Sequence, residues 1–228
     1  GDERIGKLLS QGPATLARLR KVKTLSAAEA LTLQRALAIE LLIAAPVRPQ
    51  NLAAISLSRH IVRGRNGTRD KVHLVIPAEE VKNEVDLEFE LPARVIALLD
   101  LYLEKTWPRL ANGVNDHLFP ARAGSHKDPG LLSKQIAQHV HAVVGVRVTG
   151  QQFRHLVGYL YLKDNPAGHE VVRRLLGHKS IQTTIRFYAG MEQAAAVAYH
   201  DQHIENLRRQ LVPSGKLAVP SRKRSAQR

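Results

Sequence analysis

Cysteine is absent from the 228 residues. That excludes disulfides, thiolate zinc sites and a cysteine nucleophile, and it fits a reducing compartment. Aromatic residues make up only 4%, too few for the stacking platforms that read single-stranded nucleic acid. Acidic residues are outnumbered: 20 Asp plus Glu stand against 34 Lys plus Arg, for a net charge of +14 and a pI near 10.4. Such a field favours polyanionic partners, nucleic acid first and an anionic membrane second. No apolar run approaches the roughly 20 residues that span a bilayer, and the N-terminus lacks the basic-then-apolar order of a signal peptide. The partner that fits is a nucleic-acid duplex gripped by its phosphates, met in the cytoplasm without a membrane.

What is there is a chain able to form a core, with 44% hydrophobic residues. Residues 1–24 are basic and weakly patterned and read as a linker or arm. Ser26 then offers an N-cap with Glu29 at capping-box spacing. The apolar run behind it, through Leu31, Leu37, Ile39, Leu41 and Leu42, predicts a long buried helix, broken by Pro46 and Pro49. A short helix over Asn51 to Leu57 follows. The period then changes. Val72, Leu74 and Ile76 alternate, as do Leu87, Phe89 and Leu91, which predicts a small antiparallel sheet between about Ile61 and Leu91. Arg63, Gly64, Arg65, Asn66 and Gly67 supply turn chemistry before it. Helical signals return after Pro92, again over 131–144, and densely from Gly150 onward. Asn112 to Gly130 reads as a loop, and Gly177 is placed as a helix C-cap. Residues 213–228 form a basic tail that reads as disordered. The fold class is mainly α with a small antiparallel β-sheet, one domain over 25–212 with basic ends.

Breaking a phosphodiester without a metal needs guanidinium groups on the non-bridging oxygens, a proton donor for the leaving oxygen and a positioned nucleophile. Arg48 lies between two helices, in Ala45–Pro46–Val47–Arg48–Pro49. Lys82 occupies the turn between two strands, in Val81–Lys82–Asn83–Glu84, with Lys71 as a rival on the neighbouring strand. Arg154 sits early on a helix and is followed by His155. Leu175–Leu176–Gly177–His178 puts an imidazole just past a helix end, and Thr183–Thr184 leads to Tyr188. Each has a plainer role open to it: Tyr188 as an amphipathic packing residue, His178 as a helix-dipole partner, Arg48 as a carbonyl ligand, Lys82 as a solvated lysine. His200 and His203 share a helix but lack the acidic neighbours and spacing of a metal site. No metal and no cofactor are expected.

The ordered set Arg154–His155, Leu175–Leu176–Gly177–His178, Thr183–Thr184 and Tyr188, with Arg48 and Lys82 upstream in matching order, resembles the tyrosine recombinases or phage-integrase family over roughly Leu25 to Leu211. The resemblance implies the catalytic-domain fold of that DNA breaking–rejoining family, in a bacterial or phage-encoded, DNA-associated protein. It implies that Tyr188 attacks the scissile phosphate to leave a 3′-phosphotyrosyl link and a free 5′-hydroxyl. Arg48 and Arg154 would hold the non-bridging oxygens, Lys82 would protonate the 5′-oxygen, and His178 would hydrogen-bond the phosphate. Arg63 and Arg65 join Arg48, Lys82 and Arg154 as expected DNA contacts. A separate N-terminal clamping domain is implied, expected to lie outside these residues. So is a homotetramer on double-stranded DNA formed from monomers, with Met191 to Leu211 as the candidate segment exchanged between neighbours; packing of that segment in cis on its own domain stays open.

One position departs from the pattern. Gln151 stands where the family has a histidine, and an amide cannot take a proton near neutral pH. A tolerated variant with slower chemistry, an engineered slow form and a DNA-binding relative that cleaves poorly stay open, as does a simple helix-capping role for Gln151. A type IB topoisomerase shares the phosphate chemistry, but the short integrase-like spacing argues against it.

Overall fold

Ser26 opens the central helix. Its hydroxyl accepts the Glu29 N–H at 3.3 Å and Glu29 Oε2 accepts the Ser26 N–H at 2.9 Å, the reciprocal capping box, an arrangement that stabilises a helix start by about 1 kcal/mol. The computed structural model describes residues 2–66, 69–111, 115–121, 124–186, 188, 204, 206 and 207, with backbone alone at 2, 65, 66, 69 and 70. Helix α2 (Ala27–Ala44) buries residues around its whole girth, from Ala30 and Leu33 to Leu41 and Leu42, as a helix apolar on every side must. Pro46 forbids its continuation. Helices α3 (Pro49–Ala53) and α4 (Leu57–His60) follow, two short turns where the sequence suggested one.

The segment expected to be an arm is mostly helix α1 (Asp2–Leu19). Leu8, Thr15 and Leu19 are buried on one face, with Gly12 between them, and the helix packs on α2 and on the helices Ala93–Lys105 and Pro129–Val144. A residue larger than glycine at position 12 would meet the Glu40 carboxylate of α2. The expectation failed because the 3.6-residue stripe is made partly of Gly and Thr and is interrupted by Pro13.

Strands β1 (Ile61–Asn66), β2 (Arg69–Ile76) and β3 (Leu87–Glu90) form the expected antiparallel sheet in the order β1–β2–β3, with Ile61 opposite Leu74 and Leu74 opposite Phe89. Arg63 and Gly64 lie inside β1 rather than in a turn. Val72, Leu74 and Ile76 point into the core, while Lys71 and His73 face outward to Glu90 and Glu88 at 2.7 and 2.9 Å. Helices α5 (Ala93–Lys105), α6 (Trp107–Ala111), α7 (Pro129–Val144), α8 (Gly150–Asp164) and α9 (His169–Leu175) complete the named elements. No helix of the described residues is long and apolar enough to cross a membrane.

This body is the first of two compact units, Gly1–Arg186. Tyr188, Ile204, Asn206 and Leu207 are the described residues of the second, Phe187–Arg228. The rest of the proposed exchange segment, His200, His203 and the tail 213–228 lie outside the described residues.

Candidate functional site

Two prolines set Arg48. Pro46 ends α2, and Pro49 is the first residue of α3, so Arg48 takes the N-cap position with extended backbone, φ −67° and ψ 152°. A residue before proline is pushed into that region by the ring. The half-buried Arg48 side chain makes neither a hydrogen bond nor an ion pair among the described residues. Burial lowers its pKa, yet a guanidinium keeps its charge at physiological pH. It is not spent on helix-end carbonyls.

Arg154 is. It is 2% exposed on α8, where Nη1 donates to the Pro46 carbonyl and Nη2 to the Leu176 carbonyl at 2.6 Å. One guanidinium thus ties the segment before Arg48 to the segment before His178, residues separated by most of the chain. The fork geometry of arginine suits such a double contact, and lysine cannot reproduce it.

His178 is delivered by the end of α9. Gly177 takes φ +59° and donates to the Arg174 carbonyl at 3.0 Å, while the His178 N–H donates to the Arg173 carbonyl at 2.9 Å. These are the paired bonds of a Schellman cap. A Cβ on Gly177 would meet the Leu87 Cδ2 methyl at 2.8 Å, so glycine suits both the left-handed backbone and the close approach to β3. Arg173 returns a bond to the His178 carbonyl at 2.9 Å, and the His178 Nδ1 lies 2.9 Å from the Thr184 hydroxyl. Burial, then the charges of Arg154 and Arg48, push the His178 pKa down to about 4. The imidazole is neutral at pH 7, and its depression reports that the two arginines and the histidine share one electropositive neighbourhood.

Lys82 occupies the connection between β2 and β3, as the sequence implied. With Arg48 and Gln151 it lines an open cavity of about 690 Å³, whose wall also includes Asn83, Ser133 and Gly130. Lys82 is exposed and makes no hydrogen bond or ion pair among the described residues, whereas the rival Lys71 is paired with Glu90 at 2.7 Å. Gln151 is exposed at the second position of α8. It does not cap that helix: Thr149 and Gln152 form the capping box, at 3.3 and 2.8 Å. Arg63 is exposed and paired with Asp100 at 2.6 Å, and the Arg65 side chain lies outside the described residues.

Tyr188 is helical and buried, 3% exposed, within the second unit. Asn83, next to Lys82 in the sequence, carries no pattern that marks it as part of the cavity wall. The same holds for Ser133, whose hydroxyl accepts the Gly150 N–H at 3.0 Å at the start of α8. No local pattern marks a serine on the second turn of α7 as facing a cavity.

A profile of the phage integrase family matches residues 18–194. The chain belongs to the phage integrase family. Its fold is also that of solved tyrosine recombinases. The XerH site-specific recombinase bound to palindromic difH substrate, in a post-cleavage complex, shares it with a TM-score of 0.63 and 20% identity over 87% of this chain and 51% of the XerH chain. The pre-cleavage complex of XerH with difH gives 0.60 and 22% over 86% and 51%. The XerA recombinase gives 0.50 and 18% over 85% and 63%. This phage integrase family chain therefore spans about half the length of the XerH chains it matches. No curated protein matches the sequence.

Proposed function

We propose that this chain carries the DNA-cleaving and rejoining domain of a site-specific recombinase that acts on duplex DNA through Tyr188. The observation that carries the reading is the meeting of Arg48, Lys82 and the family's variant position, Gln151, on one cavity, with Arg48 and Arg154 both acting on His178. A phosphate held there meets the Arg48 guanidinium and the Lys82 ammonium, neither of them paired among the described residues, near a neutral His178 imidazole on which Arg48 acts. In the tautomer where Thr184 donates to Nδ1, His178 Nε2 carries the hydrogen that a phosphate oxygen accepts. Arg48 holds a non-bridging oxygen, and Arg154 supplies fixed positive charge behind it. Tyr188 Oη bonds to phosphorus as the P–O5′ bond breaks, and Lys82 gives its proton to O5′. The link conserves the bond energy, so the scheme runs without ATP.

Gln151 leaves the tyrosine proton without a basic acceptor at that position. Water takes it in our scheme, at a cost in rate, because general-base help is worth ~100- to 10,000-fold. That same residue favours the second reading, a relative that binds DNA and cleaves poorly. Assembly of four protomers on two duplexes, with 191–211 exchanged between them, belongs to the first reading.

The two separate in a trapping experiment. A nicked suicide duplex library of randomised sequence is incubated with the protein and run on a denaturing gel. The recombinase reading predicts a covalent protein–DNA band that disappears in Tyr188→Phe. DNA binding with no band above that variant would overturn it.

A further inference from the structure

Lys82 sits in a tight turn. The Glu84 N–H donates to the Val81 carbonyl at 2.7 Å, closing Val81–Lys82–Asn83–Glu84 with Lys82 and Asn83 as the central residues. Both flanks of the turn are tethered. Before it, Asn51 Nδ2 donates to the Glu80 carbonyl at 2.8 Å, and the Glu80 carboxylate pairs with Arg59 and lies 3.1 Å from His60 Nε2. After it, Glu84 pairs with Lys179 at 2.6 Å. Ion pairs on exposed side chains are weak tethers. The strong one lies between them: Asn83 Nδ2 donates to the Gly177 carbonyl at 2.6 Å. Val81 is buried, so the turn's first residue is held by the core. Lys82 is then the one residue of the four whose side chain has no partner among the described residues.

We propose that Asn83 is a positioning residue, which fixes the Lys82 turn to the end of α9 so that the ammonium faces the leaving oxygen beside His178. Gly177 makes this possible. Its missing side chain lets the end of α9 come against Leu87 of β3, the strand that the turn feeds, and its carbonyl, unused by the helix cap, is left to accept the amide. The same glycine that aims His178 thereby aims Lys82. Asn83 touches no reacting atom in this account, although its side chain shares the cavity wall.

The inference rests on the reading of Lys82 as the proton donor, and the test separates the two. Departure of O5′ needs a proton from Lys82. A 5′-bridging sulfur leaves as a thiolate without one, because a thiol ionises near pH ~8.5. Single-turnover cleavage is measured on suicide duplexes with 5′-oxygen and 5′-sulfur at the scissile bond, for the unaltered protein, Lys82→Ala, Asn83→Asp and Arg48→Ala. Asn83→Asp keeps the shape and removes the donor. The proposal predicts that Asn83→Asp loses about 10- to 100-fold on oxygen, the cost of a misplaced group. It also predicts that Asn83→Asp and Lys82→Ala recover on sulfur to near the unaltered protein, while Arg48→Ala stays slow on both. Rescue of Lys82→Ala without rescue of Asn83→Asp, or an Asn83→Asp that is unimpaired on oxygen, overturns the proposal alone. Failure to rescue Lys82→Ala removes its acid role and the proposal with it. A chain that forms no covalent product on either substrate removes the recombinase reading itself.

Discussion

His178 shows how a side chain's surroundings set its chemistry. Its pKa is held at about 4 by burial and by Arg154 and Arg48, against about 6.5 for an unfolded histidine. Between those values the unfolded chain binds a proton that the folded chain refuses. The stability this supplies is complete above about pH 6.5 and is lost as pH falls towards 4. His60, His139 and His155 are depressed in the same sense by burial. The urea midpoint therefore falls from pH 7 to pH 5, and His178→Gln makes that fall shallower; an equal fall in both proteins would contradict the assignment. Gln151 is the opposite case, a group that cannot titrate at a place facing Arg48 and Lys82. Gln151→His is expected to raise the single-turnover cleavage rate, by up to ~100-fold. An unchanged or lower rate would mean that no base is wanted there. The order of Arg48, Lys82, Arg154 and His178 along the chain is what draws them into the proposed site, and the sequence carries that order openly. That Arg48 has no partner among the described residues while Arg154 is committed to two carbonyls is not legible there, since those carbonyls belong to residues 108 and 22 positions away.

At the level of elements, the site depends on how segments end. Pro46 and Pro49 stop one helix and start the next around Arg48, and the Gly177 cap turns the chain at His178. Gly177→Ala should cost about 1–2 kcal/mol for the left-handed backbone alone, with more for the 2.8 Å approach to Leu87. Chemical denaturation checks the loss, and a change below about 0.5 kcal/mol would show that the cap can be built without glycine. These ends were readable, because proline, glycine and capping pairs act within a few residues. Helix α1 was not: its inner face of Leu8, Gly12, Thr15 and Leu19 is too small and too polar to announce itself, and only the packing of α2, α5 and α7 gives it a core to join. Alternation marks the β-sheet, yet Arg63 and Gly64 read as turn chemistry while lying in β1, since glycine inside an edge strand looks like a turn signal.

For the molecule as a whole, the net charge of +14 means that the proposed DNA binding is salt-dependent. If about six phosphates are contacted, binding falls on the order of 1,000-fold between roughly 50 and 200 mM salt, and Lys82→Ala lowers the log–log slope by about one. Fluorescence anisotropy with a labelled duplex measures both, and a slope near zero would place the basic residues away from the DNA. Trapped protein–DNA product is digested with protease and nuclease, and the peptide that carries the residual nucleotide is sequenced by mass spectrometry. The account predicts a 3′-phosphate ester on Tyr188. Attachment at Tyr159 or Tyr161 of α8, or a 5′-phosphate link, would contradict it.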